Sequence, residues 1–125
     1  MEASILVSTK KILGLNSDYH VFDLDITIFI NSAFSTLNQL GIGPPDGFAI
    51  EDSSNSWEDY AVTTTELNWV KTYVFLKVRM MFDPPTLSYL ITAMNDQIKE
   101  YEWRLTAFHE YVSPPPPYPV PVFVE

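Results

Sequence analysis

Cysteine is absent from all 125 residues. That excludes disulfides and thiolate metal or redox sites, and suits a chain that folds in a reducing cytoplasm. Histidine occurs only at His20 and His109, too far apart in sequence to suggest a metal pair. No apolar run approaches the roughly 20 residues of a membrane span. The opening stretch MEASILVSTKK carries its lysines after its apolar residues, unlike a secretory signal. A soluble protein with no membrane partner is expected. Lys and Arg are missing from the whole stretch between Lys11 and Lys71, where nine acids fall: Asp18, Asp23, Asp25, Asp46, Glu51, Asp52, Glu58, Asp59 and Glu66. The other seven acids match the seven bases, so the net charge of −9 is concentrated in one region. Such a region repels phosphate backbones and argues against DNA gripping by a basic stripe. It reads either as a solvated acidic surface that aids solubility or as a surface that faces nucleic acid without holding it.

What is present is helical patterning. Residues 3–15 predict a short amphipathic helix ending near Gly14, with Lys10 and Lys11 in its last turn where cations suit the dipole. After a turn at Asn16, Ser17 and Asp18, DLDITIFINSAFSTLNQL places Ile26, Ile30, Ala33, Phe34, Leu37 and Leu40 on one stripe, with Gly41 at the C-terminal cap. The opposite face, Asn31, Ser32, Ser35, Asn38 and Gln39, carries no charge, which points to packing against another subunit. Residues 46–62 are irregular. GFAI suggests a short strand and SSNSWEDY a loop or single helical turn from a Ser cap, with Trp57 and Tyr60 buried as anchors. This loop is the strongest candidate for a recognition element.

TELNWVKTYVFLKVRMMF has two apolar stripes. Leu67, Val70, Val74, Val78 and Met81 form one, and Trp69, Tyr73, Leu76 and Met80 the other, so the helix is covered on both sides. It is central, or meets a neighbouring subunit, or both. Asp83, Pro84 and Pro85 break the chain, and a long helix follows with Thr86 as its expected cap. Its seam is Leu87, Leu90, Ile91, Met94, Ile98, Tyr101, Leu105, Phe108 and Val112. Trp103, with Tyr89 and Tyr111, lies off that seam and supports a protein interface. The final SPPPPYPVPVFVE cannot be helical. It reads as a disordered tail or as an extended arm that docks on another chain, with strand addition one way of doing so. The fold class is therefore all-α, a four-helix domain over 1–112 with an irregular loop between its second and third helices, and a Pro-rich arm over 113–125.

No pattern points to catalysis. In LGIGPP the glycines follow a helix, two prolines remove amide donors and no phosphate-binding lysine comes next, which is the reverse of a nucleotide loop. Asp18, His20, Asp23 and Asp25 match neither a calcium loop nor a zinc helix, and helix capping accounts for the aspartates more simply. Glu58 and Asp59 are adjacent and diverge, which suits a solvated turn. The expectation is no enzyme, no cofactor and no metal.

FDLDITIFINSAFSTLNQLGIGPPDGFAIEDSSNSWEDY, LNWVKTYVFLKVRMMFDPPT and QIKEYEWRL together resemble the head-tail connector, or adaptor, proteins of long-tailed bacteriophages, from about Ile5 to Leu105. The resemblance implies a helical subunit of a ring, usually dodecameric, placed between the portal and the stopper or tail-terminator protein in the virion neck. Double-stranded DNA passes through such a ring during packaging and ejection without being specifically bound. The protein would be made in the host cytoplasm. The resemblance further implies portal docking through the C-terminal part, here Trp103 and Tyr111, with Tyr118, Val120, Val122 and Phe123 of the arm. Subunit contacts would fall to Ser32, Ser35 and Gln39 and to Trp69, Tyr73, Leu76 and Met80. Asp52, Trp57, Glu58 and Asp59 would face the channel or the stopper. An alternative is a soluble acidic binding protein, a host-takeover or regulatory factor that mimics nucleic acid through Trp57 and the acidic loop.

Overall fold

A computed structural model describes residues 3–60 and 62–112, with side chains up to Phe108. The elements are α1 (Ile5–Ile12), α2 (Asp23–Gln39), a short 3-10 turn (Trp57–Asp59), α3 (Thr64–Phe82) and α4 (Ser88–Val112). No strand occurs among the described residues. The expected strand at GFAI is irregular chain, and the bridge found among the described residues is an isolated antiparallel pairing of Ser4 with Ser56. No described helix is long and apolar enough to cross a membrane. The arm over 113–125 lies outside the described residues.

Local chemistry sets the helix limits. Ser4 caps α1 by accepting from the Val7 amide, and Thr63 caps α3 by accepting from the Glu66 amide. α1 is shorter than the pattern over 3–15 suggests, because Leu13 ends it and Gly14 turns left-handed. α2 closes in the same way. Gly41 takes φ +83°, its amide donates to the Asn38 carbonyl, and the Ile42 amide donates back to Leu37. These two bonds satisfy carbonyls that a helix end otherwise leaves orphaned.

The core contains Ile26, Ile30, Ala33, Phe34 and Leu37 from α2, with Val70, Tyr73, Val74 and Val78 from α3. Ile5 and Leu6 of α1 and Ile98 and Leu105 of α4 close it. α3 is the central helix. Trp69 meets Phe108 of α4 edge-on at 5.3 Å, and the Tyr73 hydroxyl donates to Glu102 of α4 at 2.7 Å. From another side of α3, Phe82 meets Phe22 beside α2 and Phe75 meets Trp57. Both faces of α3 are thus covered within one chain.

α4 begins at Ser88, past the expected cap Thr86. Its seam is only partly buried: Ile98 and Leu105 are in the core, whereas Leu87 and Leu90 are exposed. The Tyr73–Glu102 bond puts the end of α3 level with about residue 93 of α4, at ~1.5 Å per residue. The first turn of α4 therefore extends past the end of α3 and has no helix to pack on.

Candidate functional site

The acidic loop is built on two buried aromatics. Trp57 is only 2% exposed; its indole N–H donates to Ser8 Oγ at 2.9 Å, and its ring meets Phe75 edge-on at 5.8 Å. Tyr60 packs on Phe34 and Phe48 with centroids 4.9 and 5.2 Å away. Backbone bonds then fasten the loop to the N-terminal segment, from the Ile5 amide to the Asn55 carbonyl and from the Trp57 amide to the Ala3 carbonyl. Asn55 Oδ1 accepts from the amides of Glu51 and Asp52. The Asp52 carboxylate accepts from the hydroxyl and amide of Ser54, which hold its pKa below the usual carboxylate value. Ser56 and Asp59 complete a reciprocal cap on the 3-10 turn.

The product is a braced frame that presents Glu51, Asp52, Glu58 and Asp59 to solvent. Trp57 is buried, as an anchor of the loop should be, and this removes it from the set expected to face the channel or the stopper. It is the hub beneath the loop, because an indole this large stabilises more by burial than by exposure in so polar a segment.

The two expected subunit-contact sets have different outcomes. On α2, Ser32, Ser35 and Gln39 are exposed, and Leu24 (73%) and Ile28 (54%) extend the same face toward the helix start. Their three- and four-residue spacing makes one continuous stripe. Leu24 and Ile28 escaped the sequence reading, although their off-core spacing was visible in it. Asn31, counted there as part of the polar face, is used internally by Ile50. On α3, Tyr73 is fully buried and cannot reach a neighbour. Burial, then the nearby Glu102 carboxylate, push its phenol pKa up. Trp69, Leu76 and Met80 are half-buried against the core.

On α4, Trp103 and Tyr89 are each 68% exposed. The Tyr111 side chain, and Tyr118, Val120, Val122 and Phe123, lie outside the described residues.

One charged cluster is structural. Buried Lys10 places its ammonium 2.8 Å from Asp23 Oδ1 and donates to the Ser17 carbonyl at 3.1 Å. His20 Nδ1 lies 2.8 Å from Asp23 Oδ2. These bonds tie the α1–α2 turn to the start of α2, on the wall of a cleft of about 230 Å³ that also meets Glu51, Asp52 and Ser53. Among the described residues no group of His, Cys, Asp and Glu is placed to hold a metal.

A family model described as phage connector protein matches residues 5–112. No curated protein and no solved structure matches the chain.

Proposed function

The chain belongs to the phage connector protein family, and on that premise we propose that it is a structural protein of the virion neck. In this reading copies of the chain form a ring, dodecameric by analogy, between the portal and the stopper or tail-terminator protein. DNA passes through that ring during packaging and ejection. The domain over 1–112 builds the ring, and the C-terminal end of α4 with the arm over 113–125 docks on the portal. The observation that carries the reading is the family match, which spans all four helices. The braced acidic loop supports it. Asp52, Glu58 and Asp59 facing the channel would repel phosphates and let the duplex slide. At the end of the domain opposite the C-terminus of α4, Val21, Met81, Leu87 and Leu90 are exposed, apolar side chains suited to contact with the next protein in the neck.

The reading as a nucleic-acid mimic loses its aromatic contact, since Trp57 is buried. The test is negative-stain electron microscopy of the purified chain mixed with the portal of its own phage, in full length and truncated after Val112. Added ring density beneath the portal, lost on truncation, is expected. No density with either form would overturn the proposal.

A further inference from the structure

A closed ring of identical copies joins two unlike patches, one on each side of every subunit. The placement of α3 supplies two such sides. Trp69 and Tyr73 reach α4, while Phe75 and Phe82, on roughly the opposite side of α3, reach Trp57 and Phe22. The outer faces of α2 and α4 therefore point away from each other. Each exposes large apolar side chains, Leu24 and Ile28 on α2 and Tyr89 and Trp103 on α4.

The heights of these residues match. The contacts Phe22–Phe82 and Tyr73–Glu102 tie both outer helices to α3. Both run antiparallel to α3. Counting at ~1.5 Å per residue puts Trp103 level with about Ser32, between Ile28 and Ser35. A ring has no rise along its axis, so when these helices run along that axis, residues of equal height meet in adjacent copies. Small Ser32 and Ser35 leave room for an indole, and Ile28 offers it an apolar wall.

The same stripe of α4 exposes both Asp96 and Lys99, and of the two it is Lys99 that opposes the sign of Asp25. Asp25 is the one charge on the exposed face of α2, and the chain has no Lys or Arg between Lys11 and Lys71. Lys99 lies one turn from Trp103 on the outer face of α4 and is exposed. Among the described residues neither Asp25 nor Lys99 has an ion pair within its own chain.

We infer that a second copy of this chain covers the α2 face, with its Trp103 seated against Ile28, Ser32 and Ser35 and its Lys99 beside Asp25. The inference rests on the ring reading and moves Trp103 from portal docking to the contact between subunits.

The absence of native cysteine makes the test clean. The full chain carrying Ser32→Cys and Glu100→Cys, which keeps Trp103, is bound to the portal and treated with a short bismaleimide. A ladder of covalent species beyond the dimer, absent from either single variant, is expected. Ring density under the portal with no ladder would overturn this contact and leave the ring reading standing. Absence of ring density would overturn both. Trp103→Ala, at an exposed site, should raise the concentration needed for half-occupancy of the portal at least tenfold; unchanged occupancy would count against the inference. Asp25→Lys and Lys99→Asp should each weaken ring assembly, and combining them should restore it. Failure of the double variant to recover would overturn the proposed ion pair.

Discussion

The carboxamide of Asn31 closes two hydrogen bonds on Ile50, donating to its carbonyl at 3.0 Å and accepting from its amide at 2.7 Å. One α2 side chain thus replaces, for Ile50, the partners that a strand would have provided. Ile50 itself is buried, so its backbone groups have little access to water. Asn31→Ala should cost about 1–3 kcal/mol by leaving them unpaired. Asn31→Asp, which keeps an acceptor for the amide but loses the donor to the carbonyl, should cost less. Urea denaturation of both variants checks the order.

Gly43 and Gly41 both take left-handed backbone, at φ +89° and +83°, but differ in their surroundings. A β-carbon at Gly43 would lie 2.5 Å from the Tyr60 hydroxyl oxygen, whereas nothing lies within 4 Å of one at Gly41. Gly41→Ala should carry only the backbone strain, about 1–3 kcal/mol. Gly43→Ala should cost more, because it also displaces a buried ring. Thermal melts that rank the two equally would contradict the packing of Tyr60 on this turn.

Asp23 links stability to pH. Burial acts to raise its pKa, but hydrogen bonds and charge from Lys10 and His20 outweigh it, so the folded value lies below the ordinary 3.8. As pH falls, the unfolded chain takes up this proton first. The stabilisation is present above 3.8 and is lost as pH falls through the lowered folded value. Asp23→Asn should therefore be less stable than wild type at neutral pH and show a shallower decline below about pH 4. Denaturation midpoints measured across that range check both the sign and the window.

The acidic loop should act on DNA movement and not on folding. Asp52, Glu58 and Asp59 are exposed, and reversing all three to Lys replaces repulsion of phosphates by attraction. The expected result is normal assembly with slower DNA ejection that added salt relieves, as screening weakens the new attraction. Unchanged ejection from normally assembled particles would remove these residues from the channel wall.

Much of the helical framework was legible from neighbours in sequence. The α2 stripe and the Gly41 stop depend on spacing and on backbone freedom within a few residues, and both appear where the pattern puts them. The Ser56 cap, which starts the 3-10 turn, is local in the same sense. The family wording was also readable from the chain. The strand suggested by GFAI was not realised, and the amide and carbonyl of its Ile50 bond instead to Asn31 on α2, nineteen residues away.

What periodicity determined for α3 is that both faces are covered. Only the tertiary structure decided that α2 and α4 of the same chain cover them, which withdrew Tyr73 from any contact between copies. Leu87 and Leu90 carry the same spacing as Ile98 and Leu105, yet they are exposed because α3 ends below them. That Trp57 anchors its polar loop by burial is legible in the sequence, but its partners Ser8 and Phe75 lie far along the chain. Spacing along a helix reports that a side chain needs a partner; which partner arrives, or whether none does, depends on contacts between segments distant in sequence.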